Sequence, residues 1–131
     1  MKFSTPSVLF LAVAFAFLSC DKKPENVITI DFESPTANSV VADASNVSIH
    51  VHITATEEMD DVEILLHPDN DVSDLIVEVD EHVHGDSEYI FEEDLDLSGY
   101  PSGTMFHLEV VVCADHDCEE KTTGDIEFSI P

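Results

Sequence analysis

The sequence predicts an all-β protein built as a sandwich of about seven short strands. Three observations predict it. Apolar and polar residues alternate over short runs, the period of a half-buried strand. Polar turns separate the runs at short intervals. No stretch carries the 3.6-residue period of an amphipathic helix. Together these fit an immunoglobulin- or fibronectin-like β-sandwich, although the chain has no tryptophan and so lacks the Cys-Trp-Cys pattern of antibody domains.

The elements follow in order. Val27–Phe32 places Ile28, Ile30 and Phe32 on one side. Val47–Ile53 alternates cleanly, with Val47, Ile49, Val51 and Ile53 on one face and Ser48, His50 and His52 on the other. Val62–His67 turns Val62, Ile64 and Leu66 inward. Leu75–Val79 is a short run, and Tyr89–Leu97 is longer and less regular. Phe106–Cys113 alternates again, with Phe106, Leu108, Val110 and Val112 inward. Asp125–Ile130 closes with Ile126, Phe128 and Ile130. In the order of such a sandwich these are strands A, B, C, C′, E, F and G.

What precedes the first strand has another character. Val8–Leu18 is an apolar run, too short for the roughly 20 residues a bilayer span needs and suited to the core of a secretory signal. It ends in Phe17-Leu18-Ser19-Cys20 and meets the polar Asp21-Lys22-Lys23-Pro24-Glu25. This resembles the cleavage box of bacterial lipoproteins, with Phe17 standing where Leu is usual. The expectation is a signal peptide over residues 1–19, a lipidated Cys20 as the mature N-terminus, a tether to residue 26 and one domain over 27–131. Two acyl chains would give a stable membrane anchor, placing the protein in the cell envelope.

Charge narrows the partners. The chain has 29 acidic residues against four lysines and no arginine. Such a surface repels phosphate backbones, which excludes nucleic acid as a partner. It favours solubility and attracts cations. Hydrophobic residues make up 44% of the chain, and beyond the signal they lie in strand-like runs, so a folded domain rather than an acidic disordered chain is expected.

Cys113 and Cys118 are the cysteines left once Cys20 carries lipid. Outside the cytoplasm two such cysteines pair, here clamping the turn between strands F and G. The alternative is a Cys/His metal site, although only His116 lies within that turn.

Seven histidines are the main candidates for chemistry. His50/His52 and His82/His84 are both His-x-His, and residues i and i+2 of a strand share a face, so two imidazoles can chelate one ion. Neutral imidazole suits zinc, copper and nickel. His67 ends strand C and His107 begins strand F, with the same outward parity. The expected site is a zinc or copper centre with His67, His82, His84 and His107 as its core, His50 or His52 contributing, and Glu81 completing or orienting the set. It assumes that the connection after C′ folds His82 and His84 over the end where C meets F. Asp69-Asn70-Asp71 and Asp115-His116-Asp117 could instead offer scattered oxygen ligands to calcium. There is no Gly-x-Ser-x-Gly, phosphate loop or His-Glu-x-x-His, so the sequence is read as non-enzymatic.

Five pieces in order carry a resemblance: Ile49-His50-Val51-His52, Leu66-His67, His82-Val83-His84-Gly85, Gly103-Thr104-Met105-Phe106-His107 and Ala114-Asp115-His116-Asp117. Over about residues 27–131, the mature chain resembles uncharacterised immunoglobulin-like lipoproteins of Bacteroidota, a family whose activity is not established. Leu66 stands where that family tends to have Ile, and its final turn here carries the two cysteines. The resemblance implies the sandwich fold and an envelope location. The function read from the sequence is therefore a membrane-anchored metal-binding lipoprotein. Its alternative is a structural or adhesive module, calcium-stabilised, of a larger envelope system.

Overall fold

The computed structural model describes residues 22–131; the expected signal peptide over residues 1–19 and Cys20 lie outside them. The protein is all-β, a curled mixed sheet of six strands: β1 (Ile28–Ser34), β2 (Ser39–Val40), β3 (Val47–Pro68), β4 (Val77–Leu95), β5 (Met105–Cys113) and β6 (Lys121–Ser129). The order is β1-β3-β5-β6-β2, with β4 also paired to β3. All pairings are antiparallel except β2 with β6. Among the described residues no helix is long and apolar enough to cross a membrane.

The seven expected runs become five strands because two pairs fuse, and β2 makes the sixth. Strands B and C are the two halves of β3, and C′ and E are the two halves of β4. β2 was not expected. The fusion has a local cause: residues 54–61, Thr54-Ala55-Thr56-Glu57-Glu58-Met59-Asp60-Asp61, contain no Gly, Pro or Asn to turn the chain. Polarity alone does not break a strand. The chain bulges instead, and partners switch across the bulge. In the first half of β3, His50–Ala55 pairs β1 on one side and Val47–Thr54 pairs Glu88–Leu95 of β4 on the other, whereas Asp61–Leu66 lies between β5 and Val77–His82 of β4.

Both long strands carry extra residues at this point. The β3–β4 register shifts between Thr54 and Met59 and again between Met59 and Asp61. In β4 the extra residues are bracketed by His82 and Asp86, and Gly85 there has φ +90°, a conformation that costs glycine nothing. The displaced backbone of β3 is satisfied from the N-terminal segment: Asn26 accepts from the Glu57 N–H at 3.0 Å and donates to the Glu58 carbonyl at 2.7 Å.

One core fills the curl. Val47, Ile49, Val51 and Ile53 from the first half of β3 join Val62, Ile64 and Leu66 from the second half, together with Phe106, Leu108, Val110, Val112, Ile126, Phe128 and Ile130. These are the residues that the alternation places inward. Ile28, Ile30 and Phe32 of β1 are partly buried against them. Phe106 stacks on Phe128 at 5.5 Å and meets Tyr100 edge-on at 5.1 Å.

Candidate metal centre

The bulge breaks the inward–outward alternation. Met59 and Asp60 are adjacent in sequence, yet both are buried, Asp60 to 4% exposure. A buried carboxylate needs partners. Those of Asp60 are histidines: its Oδ1 accepts from His84 Nδ1 at 2.7 Å, while Nδ1 of His116 and Nδ1 of His82 lie 3.4 and 3.8 Å from its Oδ2. Oδ2 is buried and makes no hydrogen bond. Three imidazoles thus turn the same nitrogen toward one carboxylate, one oxygen of which makes no hydrogen bond.

Each side chain is delivered by a distinct feature. β4 runs antiparallel to the second half of β3, so each step along β4 toward His84 is a step back along β3 toward Asp60. His82 pairs with Asp61, and the β4 bulge brings His84 onto Asp60. His116 comes from the loop after β5. There the Cys113–Cys118 disulfide closes the base, and the Asp115 carboxylate accepts from the Glu119 and Glu120 N–H groups, both at 3.0 Å. The two backbone bonds hold the Asp115 carboxyl below the usual carboxylate range. The rings of His82 and His84 stack at 5.6 Å with an interplanar angle of 1°, and His116 meets His82 edge-on at 6.1 Å.

The electrostatics follow from these contacts. The His84 hydrogen bond holds the Asp60 carboxyl below its ordinary value; nearby His82 and His116 pull the same way, and desolvation opposes them. His82 donates to Asp61 Oδ1 at 2.5 Å, and this bond, with the charge of Asp60, raises the imidazole above its usual range. One ligand atom each from Asp60, His82 and His116 lies within 4.8 Å of the others, a nitrogen–oxygen donor set able to hold a metal ion. His84 stands outside that trio and bonds Oδ1, the other oxygen of Asp60, as residues that orient a ligating carboxylate do.

The six histidines singled out from the sequence do not form one cluster. His82 and His84 lie at the disulfide-loop end of β5, not at the end where His67 meets His107. From Asp61 to His67 is six strand residues, about 20 Å. The sequence reading assumed that the connection after C′ crosses over the C–F end; an antiparallel β4 carries it the opposite way. His67 and His107 do face each other as a cross-strand pair with ring centroids 5.5 Å apart. His50 and His52 sit in the other half of β3. His50 contacts Glu33 at 3.0 Å and Glu92 at 3.3 Å; His52 contacts Glu88 at 2.8 Å. Glu81 accepts the Tyr89 hydroxyl at 2.6 Å instead of joining a ligand set. Of the two acidic turns, Asp71 is engaged by the Ser73 N–H and hydroxyl, and Asp115 by its own loop.

Sequence reasoning missed Asp60 as a ligand and set His116 in a separate turn. The antiparallel register would have found both, since a hairpin turning near residues 69–76 must return residues 82–84 to residues 60–61. No protein-family profile and no curated protein sequence matches the chain.

Proposed function

We propose that the protein is a non-enzymatic envelope lipoprotein that binds zinc or copper at Asp60, His82 and His116, with His84 orienting Asp60. The observation that carries this reading is the buried Oδ2 of Asp60, which makes no hydrogen bond and faces two imidazole nitrogens. A buried carboxylate oxygen that makes no hydrogen bond is costly, and a cation bound there would offset that cost. Imidazole with carboxylate suits zinc or copper(II). Metal entry would displace the proton that His82 shares with Asp61, so binding releases protons. The acidic surface supplies the field that concentrates cations near the site.

The seven alternating runs and the single core support a sandwich in which the two halves of β3 lie in facing layers. The Ser19-Cys20 junction supports the lipid anchor, and the order of the His-containing pieces supports kinship with the Bacteroidota lipoproteins.

The test of metal binding is calorimetric titration of purified full-length protein with zinc and with copper, beside an H82A/H116A variant. Both side chains are more than half exposed, at 54% and 84%, so their loss opens no cavity in the core. The variant should bind at least about a hundredfold more weakly, beyond the range seen for loss of an outer-sphere partner. Equal binding by the two proteins would defeat the assignment. For the anchor, C20A should move the protein from the detergent phase to the aqueous phase; a mature N-terminus other than Cys20 would refute lipidation.

A further inference from the structure

We propose a second divalent-cation site at the opposite end of the same outward face of the sheet, formed by Asp69, His107 and Glu127. It stands on different residues from the Asp60 cluster and does not depend on it.

Strand register builds this site. His67 pairs with His107, and His107 pairs with Glu127. Asp69 lies two residues beyond His67, and its N–H donates to the Met105 carbonyl at 2.9 Å, which continues the β3–β5 alignment past the strand end. Residues two apart share a face, so Asp69, His107 and Glu127 come from three neighbouring chain segments to one side of the sheet. One ligand atom from each lies within 4.8 Å of the other two.

The imidazole is held from two further directions. His107 Nε2 lies 3.3 Å from Asp125 Oδ2, the carboxylate–histidine pairing that orients ligating imidazoles. His67 packs its ring against His107. His67 is itself buried and contacts the Pro68 carbonyl through Nδ1 at 2.9 Å, so it forms a fixed wall rather than a mobile neighbour.

Charge gives the independent reason for a cation here. Asp69, Asp125 and Glu127 surround one imidazole, and adjacent like charges on a sheet destabilise it. The lysines do not serve this end. Lys121 opens β6 opposite Cys113, six residues from Glu127 and about 20 Å away along the strand, and Lys22 and Lys23 precede β1. Among the described residues the ion pairs are all made by histidines. Two carboxylates and one imidazole form a more oxygen-rich set than the Asp60 cluster, fit for zinc or manganese rather than copper(I).

Zinc stoichiometry of the full-length protein, read by native mass spectrometry and calorimetry in physiological salt, tests the proposal. Wild type should take two zinc ions. D69N/E127Q, which alters two exposed side chains, should take one, with the lost event weakened at least tenfold. H116A should lose the other event and keep this one. E78Q/D80N removes two exposed charges elsewhere and should still take two. Loss of one ion in H116A with none lost in D69N/E127Q would overturn this site and leave the Asp60 centre standing. The reverse result would overturn the Asp60 centre and leave this one. Equal weakening in D69N/E127Q and E78Q/D80N would reduce the effect to diffuse attraction and overturn the second site.

Discussion

The two His-x-His segments of this protein are nearly identical on paper and behave differently in the fold. His50-Val51-His52 lies where β3 keeps unbroken register with β4, while on its other side β1 bulges at Glu33, between Phe32 and Ser34. Its imidazoles spread over Glu33, Glu88 and Glu92, all substantially exposed glutamates. His82-Val83-His84 lies where the β3–β4 register breaks, and its imidazoles converge with His116 on one buried aspartate. In both segments the central valine is buried, so the alternation is the same. What differs is the strand opposite. Around His50 and His52 the neighbouring strands, β1 bulged at Glu33 and β4 regular, both present flexible, solvated glutamates. Around His82 and His84 the bulge of β3 turns one short acid inward, where it cannot be solvated. Spacing supplies the imidazoles; a short acid that a bulge buries supplies the reason for them to meet.

The largest expected effect separates the two segments directly. H82A/H84A should weaken zinc binding by about a hundredfold, while H50A/H52A should change it less than threefold, as expected of solvated surface pairs. Similar losses in both calorimetric titrations would erase the distinction. Next is the loop that brings the third imidazole. C113S/C118S should lower unfolding stability by about 2 kcal/mol, the small-loop end of the chain-entropy scale, and weaken zinc binding by freeing His116. A denaturant melt and a zinc titration of the same sample check both. If stability falls and zinc affinity does not, the loop is a clamp and His116 is not a ligand.

The bulge itself can be probed at Gly85. A Cβ there would meet no atom within 4 Å, so the penalty of G85A comes from its φ of +90°. That should cost about 1–2 kcal/mol in urea unfolding and carry a loss of zinc affinity with it. G99A, also free of steric contact but not in the left-handed region, should stay within about 0.5 kcal/mol of wild type. Equal effects would detach the metal site from the bulge.

The smallest effect concerns Glu81, next to His82. Burial, then the hydrogen bond to Glu81, pushes the Tyr89 phenol up to about 12. Tyr100 is also raised, by burial first and then by Asp74. Because the folded value of Tyr89 exceeds the unfolded one near 10, its contribution to stability is complete below pH 10 and is lost as pH rises toward 12. Ultraviolet titration should show both tyrosines ionising late, and E81Q should bring only Tyr89 down. An unchanged titration in E81Q would mean that Glu81 is free, and would return it to the candidates for the metal set.

Much of the fold was legible before any coordinates. Period-2 alternation named the inward faces of β3, β5 and β6, and the shared parity of His67 and His107 placed them side by side. The polar stretch between Ile53 and Val62 reads as a turn between runs, yet it holds no Gly, Pro or Asn to enforce one, and the chain continues as strand. Joining B to C and C′ to E changed no inward face, but it put His82 and His84 at the other end of the ribbon.

The sequence by itself determined the β class, most of the core residues, the pairing of nearby cysteines across a short turn and the supply of imidazoles. All of these depend on local chemistry and on the two-residue period of an extended chain. Only the tertiary structure decided which imidazoles meet. That depends on strand register and on where a bulge inserts extra residues, and one inserted residue reverses the face of everything beyond it. Asp60 shows this most clearly. It lies in the polar stretch between two alternating runs, and it becomes the buried centre of the site because β3 and β4 slip out of register around it.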